Sequence, residues 1–170
     1  KRTGHEQPLP RAAEDRPALA AVPRTVDATP EPREVASRNI EPRAEAGLRA
    51  IVAAESGFDV NQFLEGAQAA YRMVLEAFWK GDEATLEWLT ERDVREAFAQ
   101  AIADRNAAGH VLDNRLVTIE RAVVTEASVE GGVARVSVRF DADIAAITRD
   151  ADGNMIAGSL SDAVETHDVW

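Results

Sequence analysis

The sequence predicts an α+β fold in which N-terminal helices pack on a curved antiparallel sheet, preceded by a disordered linker. Three observations predict it. All seven prolines lie at or before Pro42. From Arg43 to Gly109 the apolar residues recur at helical spacing. After Asn114 the period drops from about 3.6 to 2, as strands require.

The proline distribution sets the domain boundary. Proline fixes φ and removes an amide donor, so repeated prolines block helix and sheet ladder alike. The intervening residues are mainly Ala, Glu, Arg and Thr, too poor in large apolar side chains to offset the entropy of ordering. Residues 1–42 therefore read as a proline-rich, disordered linker, and 43–170 as one domain. Charge divides at the same place. The linker holds seven basic and seven acidic groups, so the whole net charge of −11 falls on the domain.

The helices follow in order. Ala44, Leu48, Ile51 and Val52 share a spacing that ends at Ser56-Gly57. Asp59 is placed to cap the next helix, whose broad apolar face runs from Phe63 through Tyr71 and Val74 to Phe78. Lys80-Gly81 suits its C-terminus. Asp82 can cap a short helix carrying Leu86, Trp88 and Leu89. Thr90 can cap another, with Val94, Phe98, Ala101 and Ile102 inward and Gly109 as its stop.

The strands come next. Val117, Ile119 and Val123 alternate with Thr118, Glu120 and Ala122. Ala134, Val136, Val138 and Phe140 alternate with Arg135, Ser137 and Arg139. Between these runs Glu130-Gly131-Gly132 marks a hairpin, because glycine supplies positive φ. Further strands are expected near 144–149, 155–159 and 164–170, the first two joined by a turn over Asp150–Asn154. An antiparallel sheet half-covered by helices results. Both ends look cut: the chain opens on Lys1-Arg2-Thr3, and a strand ending on Trp170 predicts at least one more strand beyond it.

Composition limits function. Without cysteine there are no disulfides and no thiolate metal sites. No apolar run reaches the roughly 18 residues that a membrane span needs. An acidic domain repels phosphate backbones, so nucleic acid is not an expected partner.

Few residues offer chemistry. Asp150-Ala-Asp152-Gly-Asn154 puts glycine at the fourth position, where a calcium-binding EF-hand loop needs it at the sixth, and reads instead as a polar hairpin tip. Glu165 and His167 share a strand face while Asp168 points oppositely. Such a dyad can act as an acid–base pair, yet no nucleophile accompanies it, and a charged outer face is the expected reading. Asp141 and Asp143 read as exposed acids at a bend between strands. No phosphate loop, zinc-protease or nucleophile-elbow motif occurs, so no catalytic residue, metal ligand or cofactor is predicted. The aromatics are the remaining candidates. Phe63, Tyr71, Phe78, Trp79, Trp88 and Phe140 are the candidate partner- or pocket-binding residues. Most are expected in the core, while Trp79, beside inward Phe78, is expected at a pocket mouth or partner surface.

The segment Gly57-Phe-Asp-Val-Asn-Gln-Phe-Leu-Glu-Gly-Ala-Gln-Ala-Ala-Tyr-Arg-Met-Val-Leu-Glu-Ala-Phe78, with Gly81-Asp82 and Leu86, resembles the Tim-forty-four-like domain family. Val136-Ser-Val-Arg-Phe140, Thr148-Arg-Asp150 and Asp168-Val-Trp170 match it in the strand half. The resemblance covers roughly 47–170 and is nearest the bacterial relatives of the mitochondrial import adaptor. It implies a cone-like fold similar to nuclear transport factor two, in which helices and curved sheet enclose a pocket. It also implies a non-enzymatic, membrane-tethered adaptor related to protein translocation. Its partner would be a chaperone or envelope protein, at the cytoplasmic face of the bacterial inner membrane. The anchor would be an N-terminal segment absent from this chain, with Lys1-Arg2 as its basic flank. Because the domain is acidic, direct cardiolipin binding is not expected of it. The alternative is a cone-fold domain that uses an interior pocket for a small molecule or for catalysis.

Overall fold

The computed structural model describes residues 38–170. The linker expectation for residues 1–37 lies outside the described residues. Residues 39–42, assigned to the linker by composition, belong to the folded domain. Ile40 bridges Val124 in parallel. Val124 N–H donates to the Asn39 carbonyl and Glu41 N–H donates to the Val124 carbonyl, both at 2.8 Å. Pro42 then opens a single 3-10 turn, Pro42–Ala44, where its missing N–H leaves no bond unmade.

Four α-helices follow: α1 (Glu45–Ala54), α2 (Val60–Lys80), α3 (Glu83–Leu89) and α4 (Arg92–Ala107). Local chemistry sets their ends. The Asp59 carboxylate accepts the Gln62 amide at the start of α2, and Asp82 accepts the Thr85 amide at the start of α3. Gly81 ends α2 in the left-handed region, at φ 74°. Thr90 does not cap α4. Its hydroxyl donates backward to the Leu86 carbonyl at 2.6 Å, closing α3, and the N-cap of α4 is Glu91, which makes no side-chain capping bond.

Three long antiparallel strands complete the domain: β1 (Val111–Glu130), β2 (Val133–Arg149) and β3 (Met155–Val169), in the order β1-β2-β3. Gly131 and Gly132, at φ 57° and 77°, make the two-residue turn between β1 and β2. The expected break at Asp141–Asp143 is absent. These residues pair on both sides, opposite Arg121 to Thr118 and opposite His167 to Glu165, so two expected strands are one. In β3 the ladder jumps from Ala146↔Ser159 to Ile144↔Val164, bulging out the residues between. The expected segments 155–159 and 164–170 are the paired stretches on either side of that bulge.

β1 breaks simple alternation. Its pairing slips between Leu116 and Thr118, Ile119 and Arg121, and Val124 and Glu126. Each slip adds a residue and reverses which parity faces inward. Val117 is therefore exposed, Leu116 is buried, and Ala122–Thr125 are buried consecutively.

The main core lies between the sheet and the first two helices. Ala44, Leu48 and Ile51 pack with Leu64 and Tyr71 against Val124, Val138 and Phe140. A second cluster of Val74, Ala77, Leu86 and Ile102 joins α2 to α3 and α4. Val52, Val94 and Ala101 were expected inward and are exposed, because their helices bury narrower stripes than apolar spacing implies.

Two glycines respond oppositely to a methyl group. A Cβ at Gly47 would collide with the Ala127 carbonyl, since α1 lies directly on the β1 backbone there. Gly47→Ala should destabilise the domain by about 3 kcal/mol through overpacking. Gly66, mid-α2, has open space beside it, and Gly66→Ala should stabilise by about 0.5–1 kcal/mol. Urea unfolding of both variants checks the pair of signs.

Candidate functional site

α2 presents one side chain per turn to the end of the sheet. Tyr71, without exposed surface, stacks on Phe140 with centroids 4.3 Å apart and planes 15° apart. Trp170 meets Tyr71 edge-on at 5.0 Å and Phe140 at 6.2 Å. The backbone of Trp170 is paired in both directions with Val138, at 2.8 and 2.9 Å.

Above this aromatic floor lies a cavity of about 780 Å³. α2 supplies Leu75, Phe78 and Trp79 to its wall, the α3–α4 junction supplies Leu89, Val94 and Phe98, and the sheet supplies Ile144, Val169 and Trp170. Phe78 and Phe98 are in contact, with centroids 5.1 Å apart. Val94, on α4, lines the cavity and is 46% exposed. Arg105 holds the far side: its Nη2 donates to the Phe78 and Trp79 carbonyls at 3.0 and 3.3 Å, and the guanidinium lies 5.2 Å over the Phe78 ring. Burial lowers the Arg105 pKa from its ordinary value. A cation at the last carbonyls of α2 also complements the helix dipole.

The charged groups lining the cavity are all acidic: Glu91, Asp93 and Asp168. Asp168 is the most constrained, because its Oδ2 accepts the Tyr71 hydroxyl at 2.7 Å. Burial, followed by this bond to a carboxylate, pushes the Tyr71 pKa up from 10.0 to about 12.

A second charged cluster occupies the opposite face of the same strands. His167 Nδ1 lies 2.8 Å from Asp141 Oδ1, Arg139 Nε donates to the same oxygen at 3.2 Å, and Arg139 Nη1 reaches Glu41 at 3.1 Å. Glu165 flanks His167 at 3.7 Å. Asp141, expected exposed at a bend, is buried within the continuous strand β2. Burial opposes its ionisation, yet the His167 and Arg139 contacts outweigh that and hold its pKa below 3.8. The Asp141 hydrogen bond in turn raises His167 above 6.5. At the hairpin tip the Asp150 carboxylate accepts the Asn154 and Asp152 amides, so the turn itself uses it.

The structure separates the six aromatic candidates. Phe78 and Trp79 line the cavity. Tyr71 and Phe140 are buried beneath it, where no ligand reaches them directly. Phe63 packs against Phe58 at the other end of α2, 5.6 Å away. Trp88, expected in the core with Leu86, is 67% exposed on α3 and does not line the cavity. Trp79 is half-buried: it lines the cavity and also packs against the main core. Sequence reasoning missed Trp170, Val94 and Asp168 as lining. The aromatic Asp168-Val-Trp170 terminus was the available signal for two of them.

Two outcomes follow from this geometry. Tyr71→Phe should cost about 1.5 kcal/mol in unfolding free energy, the range for a hydrogen bond to a charged acceptor. For the outer cluster, a raised histidine pKa means a contribution complete below pH 6.5 and lost as pH rises through the higher folded value. Asp141 has the reverse sign: its contribution is present above pH 3.8 and is lost on acidification. The thermal midpoint should therefore fall on alkaline titration through the His167 transition, and the fall should flatten in His167→Gln. NMR titration of the imidazole locates the transition.

Among the described residues no three acidic or histidine side chains group to hold a metal, and no helix is long and apolar enough to cross a membrane. The chain matches no curated protein significantly. Against known families, residues 44–170 match the Tim44-like domain, three-quarters of the chain and all four helices and three strands of the fold. The chain belongs to the Tim44-like domain family.

Proposed function

We propose that this protein is an adaptor whose cavity between α2, α4 and the end of β3 holds a segment of a protein partner. The observation that carries this reading is the cavity wall. Phe78, Trp79, Phe98 and Trp170 offer aromatic area open to solvent, with exposed Val94 and Val169 at the rim. Large aromatics in a concave, open site are what protein-binding hot spots are built from. The polar groups there suit recognition better than catalysis: one oxygen of Asp168 is held by the Tyr71 hydroxyl, and the Asp141–His167 pair faces away from the cavity. Family membership supports the same reading.

In this proposal the proline-rich leader is a tether and an anchor upstream of Lys1 holds it to the cytoplasmic face of the inner membrane. An extended proline-rich segment advances about 3 Å per residue, enough to let the domain search well beyond its own diameter. Tethering raises the effective concentration of domain and membrane-bound partner without fixing orientation. The partner class is a chaperone or an envelope protein.

The second reading, a small apolar ligand, is favoured by the cavity volume, which lies within the range of roughly 300–1,000 Å³ typical of ligand pockets. Two rim variants separate the readings. Val94→Glu and Trp79→Ala should each weaken binding of a crosslink-identified partner by about tenfold or more, equivalent to about 1.4 kcal/mol. A partner bound equally well by both variants, with an apolar dye displaced from the wild type only, would instead assign the cavity to a small molecule.

A further inference from the structure

Asp168 has no local structural reason to stand where it does. Aspartate is disfavoured in strands, and the inner face of a sheet is the costly side for a carboxylate. Glu91 and Asp93 differ, because they sit at the start of α4, where negative charge complements the helix dipole. Asp168 lies opposite Phe140 in the ladder and beside Trp170, within an apolar surround. One oxygen, Oδ2, takes the Tyr71 hydroxyl at 2.7 Å. That bond fixes the carboxylate, and Asp168 still forms part of the cavity lining. Among the described residues no lysine, arginine or histidine lines the same cavity.

We infer that Asp168 is the polar anchor of this cavity, and that it selects a partner segment presenting one lysine or arginine between large apolar side chains. The inference rests on the docking reading above and specifies its ligand. Three physical effects favour the cation. The carboxylate is held by a buried phenol, so little rotamer entropy remains to be lost on pairing. The apolar walls exclude water and strengthen a charge-assisted hydrogen bond. Trp79 and Trp170 add aromatic faces beside it, on which the cation or its methylene stem can lie. Glu91 and Asp93 at the rim, and the domain's acidic surface, steer basic segments inward and oppose acidic ones. The tyrosine is the positioning residue: it orients Asp168 and, fully buried, makes no contact with the ligand.

The test is selection from a library of displayed random linear peptides on the full chain, with the charge-neutral Trp79→Ala as the counter-selection for cavity binding. Enriched peptides should carry a single Lys or Arg flanked by Leu, Phe, Trp or Met. In a synthetic peptide from that set, replacing the basic residue by norleucine should weaken binding about tenfold. Asp168→Asn, which keeps an acceptor for Tyr71, should weaken the original peptide equally, and the two changes together should cost no more than either alone. Tyr71→Phe should give a smaller loss that a matched unfolding curve separates from misfolding. Peptides that need the cavity yet bind equally with norleucine, or equally to Asp168→Asn, would overturn the anchor and leave the docking reading standing. Selection yielding no peptide sensitive to Trp79→Ala would overturn both.

Discussion

The stacking of Tyr71 on Phe140 is the contact on which the rest of the domain depends. It joins the middle of the longest helix to the middle strand of the sheet, between residues far apart in sequence. Aromatic pairs add about 0.5–1.5 kcal/mol beyond the area they bury. Here the larger consequence is positional. With α2 pinned at Tyr71, Phe78 and Trp79, two turns onward, overhang the end of the sheet. The α3–α4 segment, fastened to α2 through Leu86 and Ile102, forms the opposite wall. The cavity is the space that this hinge of packed side chains leaves unfilled.

The end of β3 serves both faces of the sheet at once. Asp168 turns inward to Tyr71, while His167 turns outward to Asp141. Trp170 is held by its backbone to Val138 and by its ring to Tyr71. Through Arg139, the outer charge cluster continues to Glu41, where the chain enters the domain against β1. The strand end that floors the cavity is thereby linked, by ion pairs of half-exposed groups, to the point where the leader emerges. Exposed pairs contribute little individually, and here the buried Asp141 is the member that makes the network count.

An acidic body behind a charge-neutral leader also narrows the range of surfaces the protein can meet. Like-charge repulsion from anionic headgroups keeps the domain off the bilayer unless something holds it there. In the adaptor reading proposed above, proximity would come from a tether and selectivity from the cavity, two parts of the chain with different compositions.

Much of this was legible in the residues alone. The helix caps at Asp59 and Asp82, the Gly81 stop and the Gly131-Gly132 hairpin are local effects, each decided by a side chain and its immediate neighbours, and each appears as the sequence implies. What failed were arguments that count parity or spacing across a distance. Three slips in β1 inverted the facing of Val117 and buried four residues in a row. The single strand through Asp141 survives because a buried carboxylate there has partners on β2 and β3, which no local pattern reveals. Trp88 stands two residues from Leu86, about 200° round the helix, so the packing that buries Leu86 turns Trp88 outward.

The sequence by itself determined the fold class, the family, the caps at Asp59 and Asp82 and the stop at Gly81, because these follow from local conformational preference and side-chain pattern. Only the tertiary structure decided that Tyr71, Phe140 and Trp170 meet, that Asp168 is held by a phenol 97 residues away, and that α4 leaves a cavity against the sheet. Contacts at that separation depend on how elements settle against one another, and the energy of that packing is written in no single segment of the chain.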